Sequence, residues 1–262
     1  MRIVRDTNSR FAIVTRAQDG YELAPLTHPT ILKYAVKCGA DFVVLNESVI
    51  NAGHYSYEIL QFYDLFSKYD RILSVDSDVI ISPLCPNIFQ IVPYDCIASI
   101  YEDKHSRKKD RRQRIRLVQE KFGQVGWESG YINTGFFLAT KPHKELFKYE
   151  SDQIWNSYGR DDVYLGYRIH KYGFKVFELP YLYNHMSSFS EIGHNWLKSY
   201  VIHYAGRGFS GKKTRFEQIT EDLLLLEKRT PLMLNFCHPI ARLRLIALGL
   251  YQRLVNLKRR GS

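Results

Sequence analysis

Tyr69-Asp-Arg-Ile-Leu-Ser-Val-Asp-Ser-Asp-Val-Ile-Ile-Ser-Pro83 is the stretch on which the reading of this chain turns. Ile72, Leu73 and Val75 make a short apolar run bounded by polar residues, the pattern of a strand covered on both faces. The run ends in Asp76-Ser77-Asp78 and turns apolar again at Val79, Ile80 and Ile81. Two carboxylates at the end of a buried strand are costly to ionise without a counter-charge. A divalent cation meets that need, because hard oxygen ligands suit magnesium or manganese. Ligands of open α/β sheets also gather at the carboxyl edge of the strands. The pattern therefore predicts a metal held there to grip a phosphorylated ligand. The alternative is a solvated turn, since Asp-x-Asp is a common tripeptide.

Upstream, Glu58 to Lys68 repeats Ile59, Phe62, Tyr63 and Phe66 on one face, which predicts an amphipathic helix leading into the strand. Phe11-Ala-Ile-Val-Thr15 reads as a first strand and Pro25 to Pro29 as a loop. Thr30 then caps a helix with Ile31, Tyr34, Ala35 and Cys38 at helical spacing, closed by Gly39. Asp41-Phe-Val-Val-Leu45 is the next strand, and a strand–helix–strand unit favours parallel pairing. No Gly-x-Gly-x-x-Gly follows the first strand, so a dinucleotide fingerprint is absent.

Downstream, Cys96 to Ile100 reads as a strand, and Gly123, Gly126 and Gly130 around Trp127 as a loop that orders over a ligand. Ile132-Asn-Thr-Gly-Phe-Phe-Leu138 is a second candidate active-site strand, in which Gly135 marks either a close approach or a bulge. Asp161-Asp162 opens a helix closed by Gly173, where carboxylates also serve as caps and dipole partners. Lys175 to Leu179 is a further strand. Val201-Ile-His-Tyr-Ala-Gly206 delivers His203 to a glycine-rich, cationic loop with Arg207, Lys212 and Lys213, suited to phosphate.

Composition narrows the class. With 262 residues, 45% hydrophobic and 14% aromatic, the chain builds a core and is not disordered. Cys38, Cys85, Cys96 and Cys237 lack a Cys-x-x-Cys spacing and read as reduced core residues of a cytosolic protein. The N-terminus carries no apolar h-region, so no signal peptide is expected, and no stretch is apolar enough to span a bilayer. The formal net charge of +10 collects in Lys104 to Lys121 and near the C-terminus, which implies an anionic partner. The first of these runs reads either as a solvated, mobile segment or as a binding surface. No nucleic-acid motif accompanies it, so nucleic acid is not the expected partner.

Asp76-Ser77-Asp78, Asn133-Thr134-Gly135, Asp161-Asp162, Leu179-Pro180 to Asn184 and His203-Tyr-Ala-Gly206, in that order, resemble a GT-A glycosyltransferase. The set is most similar to the glycogenin/galactosyltransferase-like group, family 8, and covers Phe11 to Lys213. The resemblance implies an α/β, Rossmann-like fold with a mixed, mainly parallel sheet flanked by helices. Residues 1–213 would form the catalytic domain and 214–262 a C-terminal helical extension. It further implies manganese (or magnesium) on Asp76, Asp78 and His203, and a nucleotide-sugar donor, most readily a UDP-sugar. Donor contacts would come from Asp76, Asn133, Gly135 and Gly206, with Lys212 or Lys213 near the diphosphate. Asp162, with Asp161, would serve the acceptor side, as base if the enzyme inverts and as an orienting group if it retains.

The chain departs from that pattern in three places. Pro-Trp is missing after the His-x-x-Gly, and Glu58 stands where a lysine is common. Asp161-Asp162-Val-Tyr-Leu-Gly166 is closer to a segment of inverting β1,3-glycosyltransferases. A haloacid-dehalogenase-like phosphohydrolase, with Asp76 as nucleophile, and a non-catalytic nucleic-acid binder are the rival readings. Past Pro239, Ile240, Leu243, Ala247, Leu250, Leu254 and Leu257 form an apolar stripe beside Arg242, Arg244, Arg253, Lys258, Arg259 and Arg260. That pattern predicts a helix lying in an anionic membrane surface, or else one packed on the domain. A glycan or lipid-linked glycan acceptor at the cytoplasmic leaflet is the corresponding expectation.

Overall fold

A computed structural model describes residues 10–192 and 195–229 of the chain. The stripe beyond Pro239 and Cys237 lie outside the described residues. In chain order the regular elements are β1 (Phe11–Arg16), α1 (Ala24–Cys38), β2 (Asp41–Leu45), α2 (Phe62–Leu65), β3 (Arg71–Asp76), β4 (Val79–Ile81), α3 (Ile88–Ile91) and β5 (Cys96–Ser99). They continue with α4 (Lys108–Phe122), β6 (Phe136–Thr140), α5 (Arg160–Lys171), β7 (Lys175–Glu178), β8 (His185–Met186), β9 (Val201–His203) and α6 (Arg215–Arg229).

Six strands form one sheet in the order β2-β1-β3-β6-β5-β7. β1 pairs parallel with β2 and β3, β5 pairs parallel with β7, and β6 alone runs the other way. Its central strands alternate between two cores. Ala12, Val14, Ile72, Phe137 and Ala139 face a cluster with Ile115, Val118 and Val163 of α4 and α5. Ile13, Leu73, Val75, Phe136 and Leu138 face Ile31, Tyr34, Ala35 and Cys38 of α1. A period of two with both faces covered is what makes these strands read as nearly continuous apolar runs.

A second, smaller sheet has the order β4-β9-β8. The chain passes from the large sheet to the small one through Asp76-Ser77-Asp78. The Ser77 hydroxyl donates to the Arg16 carbonyl at 2.7 Å, and Thr27 Oγ1 lies 2.7 Å from the Ser77 carbonyl, which pins the turn between them. α6 lies beyond the boundary drawn at Lys213, and its Phe216, Ile219 and Leu226 share a third cluster with Leu23, Leu26, Ile80 and Tyr204.

Several local expectations differ from the structure. Pro25 and Pro29 lie inside α1 rather than in a loop. Pro25 sits in the first turn, where a missing N–H costs nothing, and Pro29 forgoes one helix hydrogen bond. Thr30 is no cap but a buried tie, donating to Thr27 O at 2.8 Å and accepting from Ile81 N at 3.1 Å. The helix expected over 58–68 is a 3₁₀ run, Tyr55–Gln61, followed by the single turn α2. Glu58 is the reason: its buried carboxylate accepts from the Val49 and Ile50 amides and from Ser48, so tertiary bonds outweigh helical periodicity.

The basic run is not a mobile segment: from Lys108 on it is helix α4, and four of its five arginines are paired. Arg107 and Arg111 lie on Glu102, Arg112 on Asp103 and Arg114 on Asp110. Trp127 is not held over a ligand either, being 1% exposed with its ring against Tyr131. Gly166 of α5 makes room for it, since a Cβ there would come within 2.4 Å of the indole. Overpacking of this kind costs about 1–3 kcal/mol. Gly166→Ala should therefore lower the unfolding free energy by about that amount, read as a lower urea midpoint with an unchanged slope.

Candidate active site

Arg16 ends β1 in register with Asp76, the last residue of β3. Its guanidinium bridges two carboxylates, with NH2 2.6 Å from Asp76 Oδ1 and NH1 3.0 Å from Asp161 Oδ2. NH1 also donates to the Ser56 carbonyl at 2.7 Å. Burial works against the charge on Arg16, but Asp76 and Asp161 outweigh it and raise its pKa. The first strand thus supplies the cation that lets acidic residues from β3 and α5 approach one another.

Asp78 begins the small sheet opposite β9. Val79 pairs with His203, and the Tyr204 amide donates to the Asp78 carbonyl at 3.0 Å. His203 Nε2 consequently lies 3.2 Å from Asp78 Oδ1 and 3.7 Å from Asp76 Oδ2. One ligand atom from each of Asp76, Asp78 and His203 falls within 4.8 Å of the others. Two carboxylate oxygens and an imidazole nitrogen at that spacing fit manganese or magnesium, with the nitrogen favouring the softer manganese. Arg215, the first residue of α6, reaches the outer Asp78 oxygen at 2.7 Å.

The charges explain the titration of this cluster. Burial pushes the Asp76 carboxyl up, only partly offset by Arg16. Burial also opposes ionisation of Asp78, but His203 and Arg215 together hold its pKa below the usual value. For His203, burial disfavours the imidazolium, yet Asp78 and then Asp76 raise its pKa.

Asp161 and Asp162 occupy the first turn of α5. Both converge on Thr134, whose hydroxyl lies 2.7 Å from Asp161 Oδ2 and 3.0 Å from Asp162 Oδ1. The Thr134 amide also donates to Asp162 Oδ1 at 2.8 Å. Burial, then the charges of Asp161 and Glu102, raise the Asp162 pKa well above the carboxylate range. Such a carboxyl is a stronger proton acceptor once ionised than an ordinary aspartate.

Gly135 lies under His203: a Cβ there would meet the ring at 2.5 Å. The close approach expected at this glycine is therefore by the His203 side chain. Asn133 is buried, and its Oδ1 accepts from the Gly135 amide at 2.9 Å and from Asn184 Nδ2 at 2.6 Å. Gly206 takes a left-handed φ of 62° with open space around it. In the loop that follows, Lys213 is ion-paired with Glu221, and Lys212 is exposed. Arg16, Thr134, Glu102, Asn184 and Arg215 were not foreseen. Thr134 and Asn184 lie within the motifs that carry the resemblance, and Arg16 is a lone cation closing an apolar strand, whereas Glu102 and Arg215 carry no signal.

No protein-family model matches the sequence, and no curated protein does. Solved structures do share the fold. A glycosyltransferase involved in glycosylation of the major capsid of PBCV-1 aligns over 82% of this chain and 99% of its own, at 15% identity and TM-score 0.53. The galactosyltransferase LgtC, solved with donor and acceptor sugar analogs, covers 83% and 95% at 14% identity and TM-score 0.51. The bifunctional glycosyltransferase WbbM covers 87% of this chain at 14% identity and TM-score 0.55, the chain spanning 53% of WbbM. At these identities the likeness establishes the GT-A fold.

The raised pKa of His203 sets a pH dependence for the metal-free protein. Its stabilising contribution is full below the ordinary value of 6.5 and is lost as pH rises through the folded value. Between the two, stability should fall by up to about 1.4 kcal/mol per pH unit. Urea melts in EDTA across this range should show that decline, and His203→Gln should make it shallower, the remainder coming from the raised Asp162 and Asp76 carboxyls.

Proposed function

We propose that this chain is a metal-dependent glycosyltransferase that moves a sugar from a nucleotide-sugar donor to a glycan or lipid-linked glycan. The convergence of Asp76, Asp78 and His203 at the carboxyl edge of β3 in a GT-A fold carries the reading. The earlier resemblance favours a UDP-sugar and, within GT-A enzymes, the family 8 group. A bound manganese or magnesium ion would neutralise charge building on the departing diphosphate.

The protein's own groups divide the remaining work. Arg16 holds Asp76 and Asp161 in place from between them. Arg215 lies on the outer oxygen of Asp78 and is the cation best placed for the diphosphate, ahead of Lys212 and of Lys213, which Glu221 already engages. Asp162 takes the acceptor hydroxyl's proton if the reaction inverts: one carboxylate oxygen is anchored by Thr134, and its pKa is raised. Asp161 orients the acceptor side. The cationic, apolar-striped segment past Pro239 supports an acceptor presented at an anionic membrane surface.

The phosphohydrolase reading loses ground, since it needs the first Asp on the first strand, and here β1 and β2 precede Asp76. The nucleic-acid reading loses ground because four arginines of the basic run, Arg107, Arg111, Arg112 and Arg114, are paired with acidic residues.

Two measurements test the proposal. In a thermal-shift panel of nucleotide sugars with Mn²⁺, at least one UDP-sugar should stabilise the protein, and Asp78→Ala or EDTA should abolish the shift. Stabilisation by none of the panel overturns the reading. Arg215→Ala should lower kcat about 10²–10³-fold, the usual cost of one donor facing a developing charge. Arg215→Lys should recover part of that loss in steady-state assays.

A further inference from the structure

Glu102, Asn133 and Asn184 are all buried and none of them belongs to the Asp76–Asp78–His203 cluster. They nevertheless form one directed chain of hydrogen bonds ending on His203. At its far end Glu102 Oε2 accepts from Arg107 NH1 at 2.8 Å and Arg111 Nε at 2.7 Å. Burial disfavours the charge on Glu102, but Arg111 and Arg107 outweigh it and keep the pKa low. An ionised carboxylate only accepts.

Asn133 must therefore turn its Nδ2 toward Glu102 Oε1, at 2.6 Å. The Gly135 amide, which can only donate, meets the other side of the same group at 2.9 Å and requires the same orientation. Asn133 Oδ1 then accepts from Asn184 Nδ2 at 2.6 Å, which leaves Asn184 Oδ1 facing His203 Nδ1 at 2.8 Å. An amide oxygen cannot donate, so Nδ1 carries a proton. The coordinating lone pair belongs to Nε2, the nitrogen nearest Asp76 and Asp78. Amide flips and ring tautomers are usually free assignments, but here a carboxylate and a backbone amide determine them.

We propose that Glu102, Asn133 and Asn184 are positioning residues that hold His203 in the tautomer and orientation a cation requires, with Arg107, just before α4, and Arg111 of α4 anchoring the far end. The proposal rests on the metal reading above. It gives the basic run a role the expected anionic partner did not: two of its arginines keep the relay's terminal acceptor ionised. Outer partners of this kind typically change metal affinity 10–100-fold.

The test measures Mn²⁺ affinity by electron paramagnetic resonance of the free ion, in four full-length variants beside the wild type. Asn184→Leu, close in shape to asparagine but unable to accept, should weaken Mn²⁺ binding 10–100-fold. Asn184→Asp keeps an acceptor on Nδ1 but cannot donate to Asn133 Oδ1, so it should recover part but not all of the loss seen in Asn184→Leu. In a His203→Gln background, Asn184→Leu should cost nothing further, because the relay acts only through the imidazole. Asn184→Ala replaces the leucine variant if that does not fold. Undiminished binding by Asn184→Leu or Asn184→Ala overturns the relay, as does an equal further loss in the His203→Gln background. Absence of Mn²⁺ binding by the wild-type protein overturns the metal reading itself, and the relay with it.

Discussion

Everything at the candidate site depends on a guanidinium buried between carboxylates. Arg16 is 8% exposed and bonded to Asp76 on one side and Asp161 on the other. Without it, the ends of β3 and α5 would each bring an uncompensated charge into the same water-poor space. Removing one partner of such a pair costs far more than the pair contributes, because the other charge stays buried and alone. The large sheet supplies Arg16 and Asp76 in register, and α5 supplies Asp161, so the fold and the charge balance of the site stand or fall together.

The small sheet completes the balance. β4 and β9 bring Asp78 and His203 together, and Arg215 comes from α6, which is packed beneath through Phe216 and Ile219. Each carboxylate of the cluster thus has a cationic or protonatable neighbour from a different element.

The net charge of +10 looked like the signature of a polyanion partner. In the fold, part of the basic run lies on two buried acids, Arg107 and Arg111 on Glu102 and Arg112 on Asp103, while Arg114 pairs with the exposed Asp110. The two buried acids belong to the segment after β5, and Glu102 is bonded to Asn133, so these arginines stabilise buried negative charge. A charge total cannot separate the two uses, because it does not record which side chains share a dry environment.

The amino-acid order alone determined the sheet's central strands, the helix closed by Gly39 and the acidic turn after a buried strand, while the pairing of that turn with His203 came from the family resemblance. Those readings are local: an apolar run, a left-handed glycine or two carboxylates after a strand follows from a few neighbouring residues. Tertiary structure decided what had no local signal. It made a 3₁₀ turn of the segment around Glu58, because a buried carboxylate needed the 49–50 amides. It placed Trp127 in the core against Gly166, and joined Arg16, Thr134, Asn184 and Arg215 to a site whose residues are scattered from β1 to α6. Hydrogen bonds and ion pairs between such distant residues depend on which strands become neighbours, and that is a property of the folded chain rather than of any stretch within it.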